Sequence, residues 1–258
     1  MLLEPQKRGL DPLYFDRRRS IEGALQWGGE IELPRNAVDI GANVGQTLQT
    51  FIGWWPNLHC LSLEPLPGAF IELQKIAGGL GENVEVLNLG ASDKTDKLTL
   101  HGSISQSTNS SFRKFNKSAE TAQSHRGLRD KPSHFELGDD DSYETEVKVE
   151  TLDNLLDVNS NLSAAKKYSE FGLYLLKIDT QGWELSVLRG AHEVLKNTKV
   201  VLTEWQFDDV YGKPPSIYEL DKILTESGLR LWDISHIYKD LKTMRTLWVD
   251  LVYARPGP

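Results

Sequence analysis

Cysteine is scarce in this chain of 258 residues, and positive charge is in the minority. The single cysteine, Cys60, cannot close a disulfide within the chain, so a disulfide-stapled secreted scaffold is excluded and a reducing, cytoplasmic location is expected. The 29 Lys and Arg are outnumbered by 37 Asp and Glu, which gives a net charge of −8. Because nucleic-acid binding rests mainly on cationic neutralisation of phosphates, binding to nucleic acid is not expected.

Long apolar runs are also missing. The longest uncharged stretch, residues 40–63, is interrupted by the polar side chains of Asn43, Gln46 and Asn57, so no membrane span is expected. Charged residues near the first position argue against a secretory signal there. The hydrophobic fraction of 39% and the length suit one large α/β domain or two small domains.

Short apolar runs alternate with helical patterns through most of the chain. The predicted strands lie at residues 37–40, 58–63, 84–89, 147–149, 173–178, 200–202, 229–234 and 247–253. Predicted helices include residues 70–77, 183–195 and 217–224. This alternation predicts an α/β fold with a doubly wound, Rossmann-like, mostly parallel sheet and helices on both faces. The last two predicted strands have no helix between them, so they are expected to pair antiparallel.

Two regions depart from this alternation. Residues 1–35 mix charges with aromatic side chains and are predicted to form a helical lead-in to a main domain over residues 36–258. Residues 102–146 are rich in serine and aspartate and hold few aliphatic side chains. An excursion of this length inside a compact domain is typical of a flexible, lid-like insert.

The most informative segment is residues 38–46, where a strand ends, a glycine turn follows and a helix begins. Gly41 and Gly45 allow a sharp turn and a close approach of the backbone to a ligand. The segment lacks the dinucleotide fingerprint, because Asn43 stands where that motif requires glycine. Asp39 precedes the turn, and its charge would repel a pyrophosphate but attract a cationic amino-acid group.

Acidic residues also follow the second and third predicted strands. Glu64, followed by Pro65, stands where a carboxylate is able to accept both hydroxyls of a ribose, although a solvated strand end is the alternative. Ala91 and Ser92 lead to Asp93, whose carboxylate suits the exocyclic amine of an adenine, although an ordinary turn is the simpler explanation. Together these residues favour a nucleoside ligand.

These segments resemble the class I S-adenosylmethionine-dependent methyltransferases of the FkbM type. The matching segments are residues 38–46, 63–65, 90–93, 149–153 and 176–191. The resemblance implies a seven-stranded sheet, S-adenosyl-L-methionine as cofactor and O-methylation of a hydroxyl on a sugar, polyketide or other natural product. The residues predicted to bind the cofactor are Asp39, Gly41, Asn43, Gly45, Gln46, Glu64, Pro65, Ala91, Ser92, Asp93, Asp179 and Gln181.

Two acids are the main candidates for catalysis. Asp179 and Glu204 are predicted to end neighbouring strands, so their carboxylates should meet beside the cofactor. One of them is then a general base, or both hold a divalent cation such as Mg²⁺ or Mn²⁺. The alternative is that Asp179 caps the following helix. His236 is a third candidate, whereas Gln181, where many family members carry Glu, has no useful basicity.

Two other functions compete with the methyltransferase. A nucleotide-cofactor (NAD-type) oxidoreductase on a related fold is disfavoured by Asp39 and by the missing glycine. A catalytically inactive binding protein of the same fold is disfavoured because Asp39, Gly41, Gly45 and Glu64 are all retained. The expected partner is a small-molecule hydroxyl acceptor, and a homo-oligomer is compatible with the sequence.

Overall fold

A computed structural model describes residues 12–30, 33–103, 110–114, 142–207, 216–239 and 243–257. Its helices are α1 (Pro12–Trp27), α2 (Gln46–Trp54), α3 (Pro67–Gly78), α4 (Leu152–Leu155), α5 (Ser163–Phe171), α6 (Glu184–Arg189), α7 (His192–Lys196) and α8 (Ile217–Glu226). Its strands are β1 (Asn36–Ile40), β2 (His59–Leu63), β3 (Val84–Leu87), β4 (Gly90–Ala91), β5 (Asp96–Ser103), β6 (Ser142–Glu150), β7 (Leu173–Ile178), β8 (Thr198–Gln206), β9 (Arg230–Lys239) and β10 (Thr246–Ala254).

Seven strands form one sheet in the order β3-β2-β1-β7-β8-β10-β9. The pairs from β3 to β8 are parallel, and β10 runs antiparallel to both β8 and β9. Every residue of β1 and of β7 is buried, as expected for central strands of a parallel sheet that is covered on both faces. The predicted fold class and the antiparallel last pair are confirmed.

A second, small sheet lies beside the first in the order β4-β6-β5. The strand predicted at residues 147–149 therefore exists within β6 but belongs to this small sheet. The predicted insert at residues 102–146 begins inside β5 and ends inside β6, which are antiparallel neighbours. Residues 104–109 and 115–141, on which the prediction of a lid mostly depends, lie outside the described residues.

Helices cover both faces of the large sheet. Leu188 of α6 and Leu224 of α8 belong to the buried cluster on one face, and Leu25 of α1, Phe51 of α2 and Leu73 of α3 belong to the cluster on the other. The predicted lead-in thus contains a helix, although the division at residue 36 stays a prediction. Within the described part of the chain, no helix is both long enough and apolar enough to cross a membrane.

The single helix predicted over residues 183–195 is wrong, because the chain forms two helices, α6 and α7, separated at Gly190 and Ala191. A Cβ atom at Gly190 would lie 1.9 Å from the backbone oxygen of Ser92. The backbone is pressed against a neighbouring loop at this point. This contact is a tertiary one and has no signature in the helical periodicity.

Candidate functional site

A crevice of about 290 Å³ opens where β1, β2 and β7 end at their carboxyl edges. Loops that follow parallel strands meet at this edge, which is where open α/β sheets bind their ligands. Eight of the residues predicted to bind a cofactor line this crevice. They are Gly41, Asn43, Gln46, Glu64, Pro65, Ala91, Asp179 and Gln181.

The other four predicted cofactor residues do not line the crevice. Asp39 is fully buried beneath it, and Ser92 is buried with its hydroxyl 3.3 Å from the indole Nε1 of Trp183. A Cβ at Gly45 would lie 3.1 Å from Leu73 of α3, so the lack of a side chain at this glycine allows α3 to pack closely. Asp93 is exposed. These four positions support the crevice wall or lie outside it.

The turn after β1 depends on glycine. Gly41 has φ +76°, and a Cβ atom there would lie 1.9 Å from the backbone oxygen of Asp179. Asn43 also adopts a left-handed conformation, with φ +49°, which asparagine tolerates better than most residues. The loops after β1 and β7 are therefore in direct backbone contact. A side chain at residue 41 would separate them.

Glu64 is held by backbone groups at the end of β2. It is 6% exposed, and its two carboxylate oxygens accept hydrogen bonds from the amides of Asn43 and Leu66, each at 2.8 Å. Burial raises the pKa of Glu64 to about 7, although these two amides oppose the shift. A carboxylate has about four acceptor positions, so each oxygen retains one for a ligand. This arrangement suits a pair of adjacent hydroxyl groups.

Lys177 joins the two acids at the crevice floor. Its Nζ lies 3.0 Å from Asp39 Oδ1 and 3.7 Å from Asp179 Oδ2, and it donates a hydrogen bond to the oxygen of Gly41 at 3.1 Å. Burial opposes the charge of Lys177, but the two carboxylates outweigh it, so its pKa is raised. Burial raises the pKa of Asp39, with Lys177 opposing, and Asp39 Oδ2 accepts no hydrogen bond from any described residue.

Lys177 was not predicted from the sequence, although a signal was present. It is the only charged residue of β7, whose other residues are apolar. A buried lysine in such a strand needs a negatively charged partner. Asp39, on β1, and Asp179, after β7, were two of the acids already placed at that edge.

A second cavity, of about 160 Å³, adjoins the crevice. Glu204, His236 and Asp250 line it, from three neighbouring strands. Four residues line both spaces: Arg17, Thr47, Lys177 and Asp179. We call the region of these four residues the junction.

Charges from distant parts of the chain meet at this second cavity. Arg17 of α1 forms an ion pair with Asp250 of β10. Burial raises the pKa of Asp250, and Arg17 opposes the shift. The Nδ1 atom of His236 is buried and has no hydrogen-bond partner among the described residues. Arg17 and Asp250 were missed in the sequence, since their proximity arises only when α1 packs against the sheet.

Asp179 and Glu204 are brought together through Gln181. The amide Nε2 of Gln181 donates to Asp179 Oδ1 at 2.8 Å and to Glu204 Oε1 at 3.3 Å, and Gln206 donates to Glu204 Oε1 at 3.1 Å. Burial, and then the charges of Asp179 and Asp250, raise the pKa of Glu204 well above its ordinary value. Glu204 lies inside β8 and not at its end, in contrast to the prediction.

The loop after β7 is held by Glu184, a residue that was not predicted from the sequence. Glu184 is buried, and its Oε1 accepts hydrogen bonds from the amides of Thr180 and Gly182 and from the Thr180 hydroxyl, at 3.0–3.1 Å. The alternative that Asp179 caps the next helix is wrong. The N-cap of α6 is Trp183, which makes no side-chain capping bond.

Part of the predicted insert forms a wall of the crevice. The hydroxyl of Ser111 donates to the backbone oxygen of Gln181 at 2.7 Å, and its backbone pairs with His101. The ring of Phe112 lies 5.5 Å from the ring of Trp183. Residues 110–114 are thus fastened to the loop that carries Asp179.

The metal hypothesis finds little support in the described residues. Within those ranges, no group of three or more His, Cys, Asp or Glu side chains is arranged to hold a metal ion. A cation between Asp179 and Glu204 would have to displace the amide Nε2 of Gln181, which donates to both carboxylates. The residues present do not fit a preformed two-carboxylate metal site.

Comparison with known proteins identifies one family. The model of the Methyltransferase FkbM domain matches residues 39–231, which is most of the chain, and this match confirms the resemblance inferred from the sequence. No curated protein matches the chain in sequence.

Solved structures of methyltransferases are similar in fold. A candidate RNA methyltransferase from Pyrococcus horikoshii is 12% identical with a TM-score of 0.44, and 92% of this chain aligns with 82% of that one. The mitomycin 7-O-methyltransferase MmcR is 16% identical with a TM-score of 0.39, and 93% of this chain aligns with 56% of that one. An S-adenosylmethionine-dependent methyltransferase from Clostridium acetobutylicum is 8% identical with a TM-score of 0.47, and 97% of this chain aligns with 94% of that one. Because each TM-score is below 0.5, these likenesses carry no argument about substrate.

Proposed function

The chain belongs to the FkbM methyltransferase family, and we propose that it transfers the methyl group of S-adenosyl-L-methionine to a hydroxyl oxygen of a sugar or other small natural product. One observation carries this proposal. Asp179 and Lys177 line both the crevice and the second cavity. Residues at such a junction contact a methyl donor on one side and a methyl acceptor on the other.

The crevice residues match the chemistry of the cofactor. When bound, S-adenosylmethionine supplies an electrophilic methyl group on a positively charged sulfur. Glu64 offers two oxygens to a ribose diol, and the orphaned Oδ2 of Asp39 adds negative charge beneath the crevice. Gly41 allows the loops after β1 and β7 to meet at the edge of the crevice. A donor set of this kind favours a ligand with vicinal hydroxyls and a cationic group.

The second cavity supplies the acceptor side. Methyl transfer is an in-line displacement, so the acceptor oxygen must be aligned and must lose its proton. In the proposal, Asp179 accepts that proton, and the acceptor oxygen bonds to the methyl carbon as the bond between this carbon and the sulfonium sulfur breaks, which gives a methyl ether and S-adenosylhomocysteine. Gln181 and Lys177 orient the Asp179 carboxylate through the contacts given above. Glu204 and His236 contact the acceptor.

The acceptor class is supported by charge and volume. A net charge of −8 opposes binding to the phosphates of a nucleic acid. The second cavity, at about 160 Å³, suits a small group such as one sugar ring or a ring of similar size. A cytoplasmic location and a role in natural-product biosynthesis are further parts of the proposal.

Substitution of Asp179 tests the chemistry. Asp179→Asn keeps the shape but removes the base, so turnover should fall by about 10²–10⁴ while S-adenosylhomocysteine binding changes less than about threefold. The measurement is S-adenosylhomocysteine formation over a panel of sugars and phenols. Asp96→Asn, at an exposed aspartate of β5, is the matched control and should have no effect. Near-normal turnover in both Asp179→Asn and Glu204→Gln would refute the base.

Further measurements distinguish the methyltransferase from an oxidoreductase, an inactive binding protein and a metal-dependent enzyme. S-adenosylhomocysteine at 100 times its dissociation constant should stabilise the protein by about 2.7 kcal/mol, whereas NADH should not. The reverse result would support an oxidoreductase, and binding without turnover over the whole panel would support an inactive binding protein. Loss of activity with a chelator, restored by Mg²⁺ or Mn²⁺, would support the metal hypothesis for Asp179 and Glu204.

A further inference from the structure

Arg17 reaches the crevice from outside the part of the chain that the family model matches. It lies on α1, whereas the match covers residues 39–231. It lines both the crevice and the second cavity, and its side chain is 25% exposed. Membership of the family therefore assigns no role to this arginine.

The position of Arg17 is fixed by the packing of α1. Ile21 and Leu25 follow it at helical spacing and are fully or almost fully buried in the cluster that packs helices on this face of the sheet. Glu22 accepts a hydrogen bond from the indole Nε1 of Trp55 at 3.0 Å, which ties α1 to the end of α2. Arg17 is therefore held beside the crevice by a helix with its own place in the core.

The charges of the cofactor set a requirement at this place. S-adenosylmethionine ends in an amino acid, which carries an ammonium group and a carboxylate. Its sulfonium and its ammonium group suit the acids Asp39 and Asp179 at the crevice floor. The same two acids repel the carboxylate, so the carboxylate needs a cation or hydrogen-bond donors of its own.

Among the described residues, two cationic side chains line the crevice, Lys177 and Arg17. Lys177 lies between Asp39 and Asp179, and its side chain is 9% exposed, so its charge is already balanced by two acids. Arg17 forms an ion pair with Asp250 and is more exposed than Lys177. A guanidinium has five N–H donors in a planar fork, so one arginine is able to bind two carboxylates.

From these contacts and charges we propose that Arg17 binds the carboxylate of the methionine moiety of S-adenosylmethionine. The inference rests on the proposed function, because it takes this cofactor as the ligand of the crevice. With the ribose at Glu64 and the sulfur at the junction, the amino-acid group extends among the junction residues, of which Arg17 is one. Asp250 then holds the guanidinium in position, and α1 becomes part of the cofactor site.

Removal of the carboxylate from the ligand tests this assignment. The probes are S-adenosylhomocysteine and its decarboxylated form, which keeps the adenosine, the sulfur and the amino group, and calorimetry gives both dissociation constants. Arg17→Gln should weaken the binding of S-adenosylhomocysteine by about 10–100-fold, because charged hydrogen bonds are lost. It should change the binding of the decarboxylated form by less than about threefold. Arg17→Lys keeps the positive charge, so its effect on S-adenosylhomocysteine should be smaller.

Two further variants separate ligand binding from packing. Asp250→Asn breaks the same ion pair but keeps the guanidinium, so it should retain the preference of the unaltered protein for S-adenosylhomocysteine over the decarboxylated form. Arg18→Gln, at a neighbouring arginine that pairs with Glu22, should affect neither ligand. Equal losses for both ligands in Arg17→Gln, or no loss for S-adenosylhomocysteine, would overturn the role of Arg17 alone. Failure of S-adenosylhomocysteine to bind the unaltered protein would overturn the proposed function as well.

Discussion

The affinity for the cofactor should depend on pH through Glu64. Its pKa of about 7 means that roughly a tenth of this carboxylate is ionised at pH 6 and roughly nine-tenths at pH 8. The ionised form accepts hydrogen bonds from both ribose hydroxyls, whereas the protonated form loses an acceptor position. The affinity for S-adenosylhomocysteine should therefore rise about tenfold from pH 6 to pH 8, which is about 1.4 kcal/mol.

Isothermal titration calorimetry measures this effect directly. Titrations at pH 6, 7 and 8 in two buffers of different ionisation enthalpy give both the dissociation constant and the number of protons released. At pH 6, binding should release close to one proton, because it requires the ionised carboxylate. An unchanged dissociation constant between pH 6 and pH 8, without proton release, would refute the reasoning.

A pair of variants assigns the pH dependence to this residue. Glu64→Gln does not titrate, so its affinity should be independent of pH and weaker by roughly 1–3 kcal/mol. Its amide accepts from only one of the two backbone amides that Glu64 satisfies, so some loss of stability is also expected. Glu72→Gln, at an exposed glutamate of α3, should retain the full tenfold dependence.

Two further substitutions test the packing around the site. Lys177→Met leaves the buried Asp39 without its cation, so the free energy of unfolding should fall by about 3–5 kcal/mol in urea denaturation. A loss below about 1 kcal/mol would contradict the buried ion pair. Gly190→Ala places a Cβ 1.9 Å from the backbone oxygen of Ser92 and should lower the stability by about 2–3 kcal/mol. Gly78→Ala meets open space and should leave the stability unchanged. Equal effects of the two substitutions in thermal melts would contradict the close approach at Gly190.

The large sheet could be predicted because its strands carry a local signal. Residues 173–178 are apolar except for one lysine, and β7 has those same bounds. The turn at Gly41 could be predicted for the same reason, because its glycines come directly after a strand in the sequence. Both features depend on neighbours in sequence, and local reasoning is sufficient for them.

The partners of the site residues could not be predicted. Arg17 and Asp250 are 233 positions apart and meet because α1 packs on the sheet. Glu184 reads as an ordinary first-turn helix residue, yet it organises the loop that carries Asp179. The break at Gly190 follows from a contact with another loop. Each of these features is a tertiary contact, which periodicity and composition do not encode.

A crystal structure with bound S-adenosylhomocysteine shows where the methyl donor binds relative to the two cavities. We expect the ligand in the crevice, with both ribose hydroxyls within about 3 Å of the Glu64 carboxylate. We also expect the sulfur to lie at the junction and to be directed towards the second cavity, which Glu204 and His236 line. A ligand bound elsewhere, or one in the crevice whose sulfur points away from the second cavity, would contradict the proposed function.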